Sequence, residues 1–302
     1  MTQIPAKLDF SKLREITLGD KARIDGYMEQ NGARGCETSF ATIYMWDAAF
    51  GFRLLDLGDR LALYNLRYRG ITFPLGAYTP PAELRDLFLQ FKRAGLIADG
   101  SDFIYGIPPN YPERFPEAAE IFDLRADPGD ADYIYSVDKL ISNSGAKLRK
   151  KRNHIKHFIL ACPNLMVEEI TPKNFEAARE FMLSKSREQG LGDEVLALER
   201  GFDNYGELGL SGVVMRCPCD GLAAAAVFSP LAGGVFDVHF EKSTRDIDGA
   251  SQMIVWQEAV AIKNLGGAFM NREQDMGEEN LRRAKESLDP LEKFQRLRAY
   301  LR

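Results

Sequence analysis

Residues 271–290, N-R-E-Q-D-M-G-E-E-N-L-R-R-A-K-E-S-L-D-P, contain in succession a strand end, a turn and a helix. The preceding apolar run Ala268–Met270 predicts the strand, and Asp275–Gly277 is a typical turn sequence. Glu278–Glu286 predicts the helix, because its acidic residues come first and its basic residues later, as the helix dipole favours. This succession indicates an α/β fold.

Three polar side chains, Asn271, Arg272 and Glu273, occupy the strand end. In open α/β sheets, ligands bind at the carboxyl ends of the strands. An amide, a guanidinium and a carboxylate at this position therefore favour a site for a polar substrate. The alternative is an ordinary solvated helix after the turn, because its glutamate–arginine pairs have the i,i+4 spacing of surface ion pairs. The spacing leaves both interpretations open.

This strand belongs to a strand–helix–strand unit predicted over Val235–Phe240, Ala250–Lys263 and Ala268–Met270. A right-handed crossover makes its two strands parallel, so their carboxyl ends lie at one edge of the sheet. That edge brings three further polar residues toward the first three: His239, Glu241 and Lys242.

Strand alternation places His239 and Glu241 on one face of the sheet and Lys242 on the other. A carboxylate and an imidazole at a sheet edge are suited to general acid–base catalysis. The alternative is a structural ion-pair cluster, since such clusters also perturb pKa values.

The rest of the chain predicts the same order of elements twice: helix, helix, antiparallel strands, helix, strand. Further helices are predicted at Leu18–Gln30, Cys36–Gly51, Pro80–Ala94, Pro172–Glu188 and Glu194–Asn204. Further strands are predicted at Phe52–Leu57, Leu61–Tyr68, Ile71–Pro74, Phe103–Ile107, Tyr133–Val137, Met166–Ile170, Leu208–Arg216 and Leu222–Ser229. We expect two domains, 1–150 and 151–302, with the join within Ser142–Leu165.

Composition is that of a globular protein, with 302 residues, 45% hydrophobic and 27% charged. The net charge of −5 means that any basic site must be local. The N-terminus lacks the apolar core of a signal peptide, and no run of 18 apolar residues occurs. We therefore expect a cytoplasmic protein without a transmembrane segment, which leaves a peripheral membrane contact open.

The sequence predicts no metal site. Of the four cysteines, only Cys217 and Cys219 are close together, and no C-x-x-C pair occurs. This cysteine usage fits a reducing cytoplasm. His154 and His157 have i,i+3 spacing, but no third ligand is evident from the sequence.

A basic helix is predicted within an acid-free segment, Lys139–Val167. Six bases occur in the ten residues from 147 to 156, which favours contact with phosphates, as in nucleic-acid binding. A solvated helix whose bases meet acids elsewhere is the alternative. The residues predicted to bind phosphate or RNA are Lys147, Arg149, Lys150, Lys151 and Lys156.

Periodicity also predicts how this helix packs. Leu148, Ile155 and Ile159 should face the core. Arg152 and Asn153 should turn inward and brace the domain join, because a guanidinium has five donors for such a place.

Several motifs occur in an order that resembles a known family. They are C-E-T-S-F (36–40), Y-M-W (44–46), Y-I-Y-S (133–136), K-L-R-K-K-R-N-H-I (147–155), H-F-E-K (239–242), I-D-G-A (247–250), N-R-E-Q-D-M-G (271–277) and L-R-R-A-K-E-S (281–287). Together they resemble an uncharacterised bacterial family grouped with the C-terminal domain of phosphatidylglycerol lysyltransferases. The chain departs from that pattern at Ser243-Thr244, where the family has Ala-Asp, and at Leu288, where it has Tyr.

The resemblance implies two GNAT-like domains in tandem, each a mixed, mostly antiparallel sheet flanked by helices, in the α/β (α+β) class. Relatives with this arrangement move an aminoacyl group from aminoacyl-tRNA to an amine or hydroxyl without CoA. GNAT enzymes that use acyl-CoA place a loop of pattern Q/R-x-x-G-x-G/A before a helix, where it binds pyrophosphate. This chain has Arg245 and Ala250, but Asp248 stands at the central glycine position.

We therefore predict an acyl- or aminoacyl-group transferase, with aminoacyl-tRNA or acyl-CoA as donor. Glu241 or Glu273 would act as base, and Asn271, Arg272 and Lys242 as donors or charge stabilisers. Residues predicted to bind substrate are Asp275, Arg282, Lys285, Gly249 and Gln252. The rival interpretations are an acetyl-CoA-dependent N-acetyltransferase and a non-catalytic module that binds RNA or a phosphorylated ligand.

Overall fold

A computed structural model describes residues 3–32, 34–217 and 221–302. In these residues, all strands belong to one twelve-stranded sheet. The strands are β1 Phe52–Asp56, β2 Arg60–Asn65, β3 Gly70–Thr72, β4 Leu75–Gly76, β5 Phe103–Ile107, β6 Phe122–Ser136, β7 Met166–Glu169, β8 Ser211–Cys217, β9 Gly221–Pro230, β10 Val235–Ser243, β11 Phe269–Asn271 and β12 Glu292–Leu301.

Helices cover both faces of the sheet. They are α1 Lys21–Gln30, α2 Phe40–Phe50, α3 Pro81–Arg93, α4 Tyr111–Arg114, α5 Ala118–Ile121, α6 Val137–Ser142, α7 Arg149–Ala161, α8 Phe175–Glu188, α9 Gly192–Asp203, α10 Ala250–Asn264 and α11 Glu279–Glu286. Short 3-10 turns lie at Phe10–Lys12, Leu18–Asp20, Cys36–Thr38 and Ala232–Gly234. Most predicted elements are present, with ends shifted by a few residues.

The strand order is β1-β2-β3-β5-β12-β6-β11-β10-β9-β8-β7, with β4 paired to β2. Neighbours are antiparallel except β3 with β5 and β10 with β11. The predicted mixed, mostly antiparallel sheet flanked by helices is therefore confirmed. The division at residue 150 stays a prediction, and β12 from the end of the chain lies between β5 and β6.

The strand–helix–strand unit is confirmed, because β10 and β11 are parallel and Asp237 lies opposite Asn271. One face of this part of the sheet packs against α10, α7 and α6, and the other against α2, α8 and α9. We call them the α10 face and the α2 face.

Strand β10 differs from its prediction in two ways that move side chains. It continues to Ser243 instead of ending at Phe240. A β-bulge lies between Val238 and Phe240, where Val238 faces the α10 core and Phe240 the α2 core. An extra residue reverses the alternation beyond it. The prediction that His239 and Glu241 share a face is therefore wrong.

Packing of α7 follows the predicted period with one correction. Leu148 and Ile155 are buried, but Ile159 is 45% exposed, and Phe158 takes the core position instead. A helix has 3.6 residues per turn, so the buried stripe passes to the position before Ile159.

The two residues predicted to turn inward from α7 behave differently. Arg152 donates hydrogen bonds to the carbonyl oxygens of Asn143 and Gly145, so it braces the turn before the helix. Asn153 is exposed, so its predicted inward position is wrong.

Candidate functional site

The predicted trio at the end of β11 divides between the two faces of the sheet. Successive residues alternate, so Arg272 faces α10 while Asn271 and Glu273 face α2. On each face, one of these residues lies beside a residue of β10: Arg272 contacts Glu241 on the α10 face, and Glu273 lies near His239 on the α2 face. One predicted site is thus two clusters, back to back across the sheet.

The α10-face cluster consists of Glu241, Arg272, Glu258 and Lys151. Arg272 Nη2 forms a close ion pair with Glu241 Oε2. Glu258 comes from α10 and is fully buried, and neither of its oxygens has a hydrogen-bond partner among the described residues. Burial, together with the charge of Glu241, raises the pKa of Glu258 well above its usual value. Burial and the charge of Glu241 therefore both disfavour the ionised form of Glu258 beside the ion pair.

Lys151 reaches this cluster from α7. Its side chain is half-buried, and burial and the nearby Arg272 lower its pKa, which Glu241 partly opposes. The predicted role of Lys151 as a phosphate or RNA ligand stays a prediction, although its side chain is only partly exposed. The cluster thus has two cationic groups around one carboxylate.

The α2-face cluster is organised by Asn271. This buried amide donates hydrogen bonds to Asp132 Oδ2 and to the carbonyl oxygen of Arg34, both at 2.9 Å. Its oxygen accepts a 2.7 Å hydrogen bond from the backbone N–H of Glu273. Glu273 has a left-handed backbone with φ +54°, which this hydrogen bond supports. Asn271 therefore positions Glu273.

Glu273 faces His239 and Asp237 from β10. His239 Nδ1 lies 3.7 Å from Glu273 Oε1 and 3.5 Å from Asp237 Oδ2. Burial lowers the pKa of His239, raises that of Glu273 to about 8, and raises that of Asp237 well above its usual value. His239 Nε2 lies 2.8 Å from the Ser229 hydroxyl, so both ring nitrogens have neighbours.

The same cluster extends to residues just before α2. Arg296 on β12 forms ion pairs with Glu37 at 2.6 Å and Asp132 at 3.1 Å. Cys36 is buried beside them, with its backbone N–H donating to Asp132 at 2.9 Å. Burial raises the pKa of Glu37 to about 7 and that of the Cys36 thiol well above its usual value.

Sequence reasoning missed Asp132, Asp237, Glu258 and Arg296. A signal was present for two of them, because Asp237 lies within V-F-D-V and Glu258 within W-Q-E-A-V, each a charged residue in a largely apolar stretch. A charge inside an apolar run requires a partner or a pKa shift. That signal indicates a buried polar cluster but does not name its members.

Lys242 lies on the α2 face beside α9. Its ammonium forms a 2.5 Å ion pair with Glu194 and lies 3.4 Å from the Gln189 side-chain oxygen. The predicted opposition of Glu241 and Lys242 across the sheet is confirmed.

Three residues predicted to bind substrate form hydrogen bonds within the protein: Asp275, Arg282 and Lys285. Asp275 accepts hydrogen bonds from the Arg282 guanidinium at 2.8 and 2.9 Å and from the Tyr133 hydroxyl at 2.7 Å. Lys285 donates to the carbonyl oxygens of Arg272 and Gln274, both at 2.5 Å. Burial lowers the pKa of Lys285 to about 8. Their role in substrate binding stays a prediction.

The N-terminus of α10 is covered by α7. A Cβ atom on Gly249 would lie 2.2 Å from the carbonyl oxygen of His154, so the two backbones are in close contact. His154 Nδ1 lies 3.1 Å from one oxygen of Asp248, and His157 Nδ1 lies 3.6 Å from the other. Gln252, in the first turn of α10, is partly exposed.

The five predicted phosphate ligands of the α7 segment divide into three groups. Lys147 forms a 2.8 Å ion pair with Asp289, and Lys151 enters the α10-face cluster. The remaining three predicted phosphate ligands are exposed: Arg149, Lys150 and Lys156.

Cys162 and Cys217 form a disulfide that joins the end of α7 to β8, with their Cα atoms 5.8 Å apart. The sequence does not predict this pairing of cysteines 55 residues apart, and a disulfide departs from the cysteine usage expected in a reducing cytoplasm. Cys219, which the sequence placed near Cys217, lies outside the described residues. Among the described helices, none has the length and apolar character needed to cross a membrane.

The fold is that of an α/β protein with a mixed, mostly antiparallel sheet covered by helices on both faces. The family described as phosphatidylglycerol lysyltransferase, C-terminal, matches residues 29–300. The chain belongs to this family. No curated protein matches it.

The solved structures that are similar to the chain include the following three. A conserved protein of unknown function from Bacteroides thetaiotaomicron is 27% identical, with a TM-score of 0.84, covering 99% of this chain and 100% of that one. L-PGS from Bacillus licheniformis is 11% identical, with a TM-score of 0.64 and coverage of 95% and 93%. FemX is 10% identical, with a TM-score of 0.59 and coverage of 96% and 97%. The last two share the fold.

Proposed function

We propose that this protein transfers an aminoacyl group to an amine or hydroxyl at the α10-face cluster. Membership of a lysyltransferase family supports group transfer. One observation carries the choice of donor, namely that α7 covers the N-terminus of α10.

In GNAT enzymes that use acyl-CoA, this N-terminus binds the pyrophosphate through its backbone N–H groups. Here the carbonyl oxygen of His154 fills the space beside Gly249, and Asp248 adds a carboxylate that repels phosphate. CoA therefore lacks its usual site. Aminoacyl-tRNA needs no such site, because its acyl group is an ester of a ribose. This donor also implies a cytoplasmic protein.

The chemistry needs a base and groups that stabilise an oxyanion. Glu241 takes the proton as the acceptor amine or hydroxyl attacks the ester carbonyl. Arg272 and Lys151 stabilise the negative charge that develops on the carbonyl oxygen. The ester C–O bond then breaks, and the ribose hydroxyl leaves with the proton. The choice of Glu241 over Glu273 rests on the cations beside it, because Arg272 and Lys151 adjoin Glu241, whereas Glu273 has no ion pair with a lysine or arginine among the described residues.

Loss of a labelled amino acid from aminoacyl-tRNA measures this reaction before the acceptor is known, because water can replace the acceptor. We expect Glu241→Gln to slow the loss by about 10²–10⁴-fold. Glu273→Gln serves as the matched variant on the other face and should retain most activity. The opposite ranking would assign the base to Glu273. A large thermal stabilisation by CoA, with none by tRNA, would refute the proposed donor.

The exposed bases of α7 are the proposed contact for tRNA. Lys151 is excluded from this test because it lies in the α10-face cluster. Alanine at Arg149, Lys150 and Lys156 should weaken tRNA binding and reduce the salt slope by about 0.7–0.9 per lost phosphate contact. The control variant removes the same charge from exposed bases on other helices: Lys92, Arg93 and Lys263. Equal affinity and salt slope in both variants would show that α7 is only a solvated face.

A further inference from the structure

The α2-face cluster has more buried acids than cations in contact with them. Arg296 forms ion pairs with Glu37 and Asp132. Asp237 and Glu273 have no ion pair with a lysine or arginine in the part of the chain that the structure describes. A buried carboxylate without a counter-charge is costly, so these two require a proton or a cation.

Their geometry favours a cation. A carboxylate oxygen of Asp237, one of Glu273 and the Sγ atom of Cys36 all lie within 4.8 Å of one another. Asp237 Oδ1 and Glu273 Oε1 are closed off from water and have no hydrogen-bond partner among the described residues. Cys36 and Asp237 are almost wholly buried. Three potential ligands thus converge on one point.

We propose that Cys36, Asp237 and Glu273 bind a divalent metal ion, with zinc as the preferred metal. Zinc accepts sulfur, nitrogen and carboxylate oxygen in one tetrahedral site, and a thiolate selects it over magnesium or calcium. The thiol proton is released when the metal binds. His239 Nδ1, at 3.5 and 3.7 Å from the two carboxylates, is within reach as the fourth ligand.

The closed surroundings argue for a metal ion over an organic ammonium. An ammonium group brings the rest of its molecule, and the unpartnered oxygens offer it no open approach. A bare ion needs no such space. The thiol also points to a metal, because a neutral thiol adds little to an ammonium site.

The proposed site joins three separate segments of the chain. Cys36 precedes α2, Asp237 lies on β10, and Glu273 follows β11. A four-coordinate ion closed to solvent is typical of structural zinc. We therefore assign the ion a structural role, in which it links the segment before α2 to the strands of the α2 face.

Metal content and cobalt spectroscopy test this site without any transfer assay. The protein is purified without a metal-affinity tag, its zinc is measured by mass spectrometry, and the metal-free protein is titrated with Zn²⁺ and Co²⁺. We expect one zinc per chain and, with cobalt, a thiolate-to-metal charge-transfer band. Cys36→Ser should abolish that band, and Asp237→Asn should weaken zinc binding by more than about tenfold.

Glu37→Gln is the matched control, because it removes a carboxyl from the same cluster without removing a proposed ligand. It should keep both the zinc and the cobalt band, and loss of both there would overturn the assignment of ligands. Wild-type protein that binds neither ion, or that binds cobalt without the thiolate band, overturns the proposal even if the variants fail to fold. Aminoacyl-tRNA cleavage is read separately, so the two proposals fail independently.

Discussion

Substitution of Glu258 by glutamine tests the buried acid of the α10-face cluster. Burial first, and then the charge of Glu241, raises the pKa of Glu258 in the folded protein. The unfolded carboxyl has a pKa of about 4.3. At any pH between the unfolded-state pKa and the folded-state pKa of Glu258, the folded protein binds a proton that the unfolded chain has lost. Stability therefore falls as pH rises, by up to about 1.4 kcal/mol per pH unit for this one proton.

Glutamine has the same shape as glutamic acid and does not titrate, so Glu258→Gln removes this pH-dependent loss of stability. The free energy of unfolding of the variant should increase relative to that of wild type as pH rises above the unfolded pKa, by up to about 1.4 kcal/mol per pH unit. Other buried carboxyls also titrate, but the difference between variant and wild type cancels them. Chemical unfolding across a pH series measures the difference, and Glu168→Gln, at an exposed position, is the control. Parallel pH profiles for Glu258→Gln and wild type would show that Glu258 is already ionised in the folded protein.

Three further substitutions test local contacts. Gly249→Ala should lower stability by about 1 kcal/mol because of its positive φ, and by roughly 1–3 kcal/mol more because of the clash with α7. Gly266→Ala, with a similar φ of +87° and open space around it, should show only the cost of the positive φ in the same melting curves. Arg152→Ala should lower the free energy of unfolding by about 1–3 kcal/mol through loss of two hydrogen bonds, and an unchanged melting curve would contradict that brace. Asp275→Asn should cost about 1–3 kcal/mol at neutral pH. Because hydrogen bonds from Arg282 lower the pKa of Asp275, that cost should shrink as pH falls through the folded-state pKa, and a constant cost would contradict the assignment.

The sequence predicted most helices and strands, because apolar periodicity and turn residues are local signals. It did not predict β12, nor the full length of β6. The two pair with each other, so both depend on contacts between residues 122–136 and 292–301. Their strand character is thus stabilised by partners far away in the sequence, which a local pattern does not contain.

The candidate site was predicted in its location but not in its arrangement. The parallel strands do bring β10 and the end of β11 together, as the crossover rule requires. The bulge after Val238 then separates His239 from Glu241. The alternation of polar and apolar residues over 235–243 does not indicate the β-bulge, because polar side chains occur on both faces there. The error follows from one irregular backbone position.

The two clusters are connected through residues 271–273. Residues 271–273 supply Asn271 and Glu273 to one face and Arg272 to the other, and Lys285 fixes the carbonyl oxygens on both sides of Glu273. Asn271 and Lys285 thus hold the backbone around Glu273 through main-chain atoms. A change in the Glu273 side chain alone therefore leaves in place the short backbone that directs Arg272 to Glu241, so the proposed transfer site on the α10 face and the proposed metal site on the α2 face are tested separately.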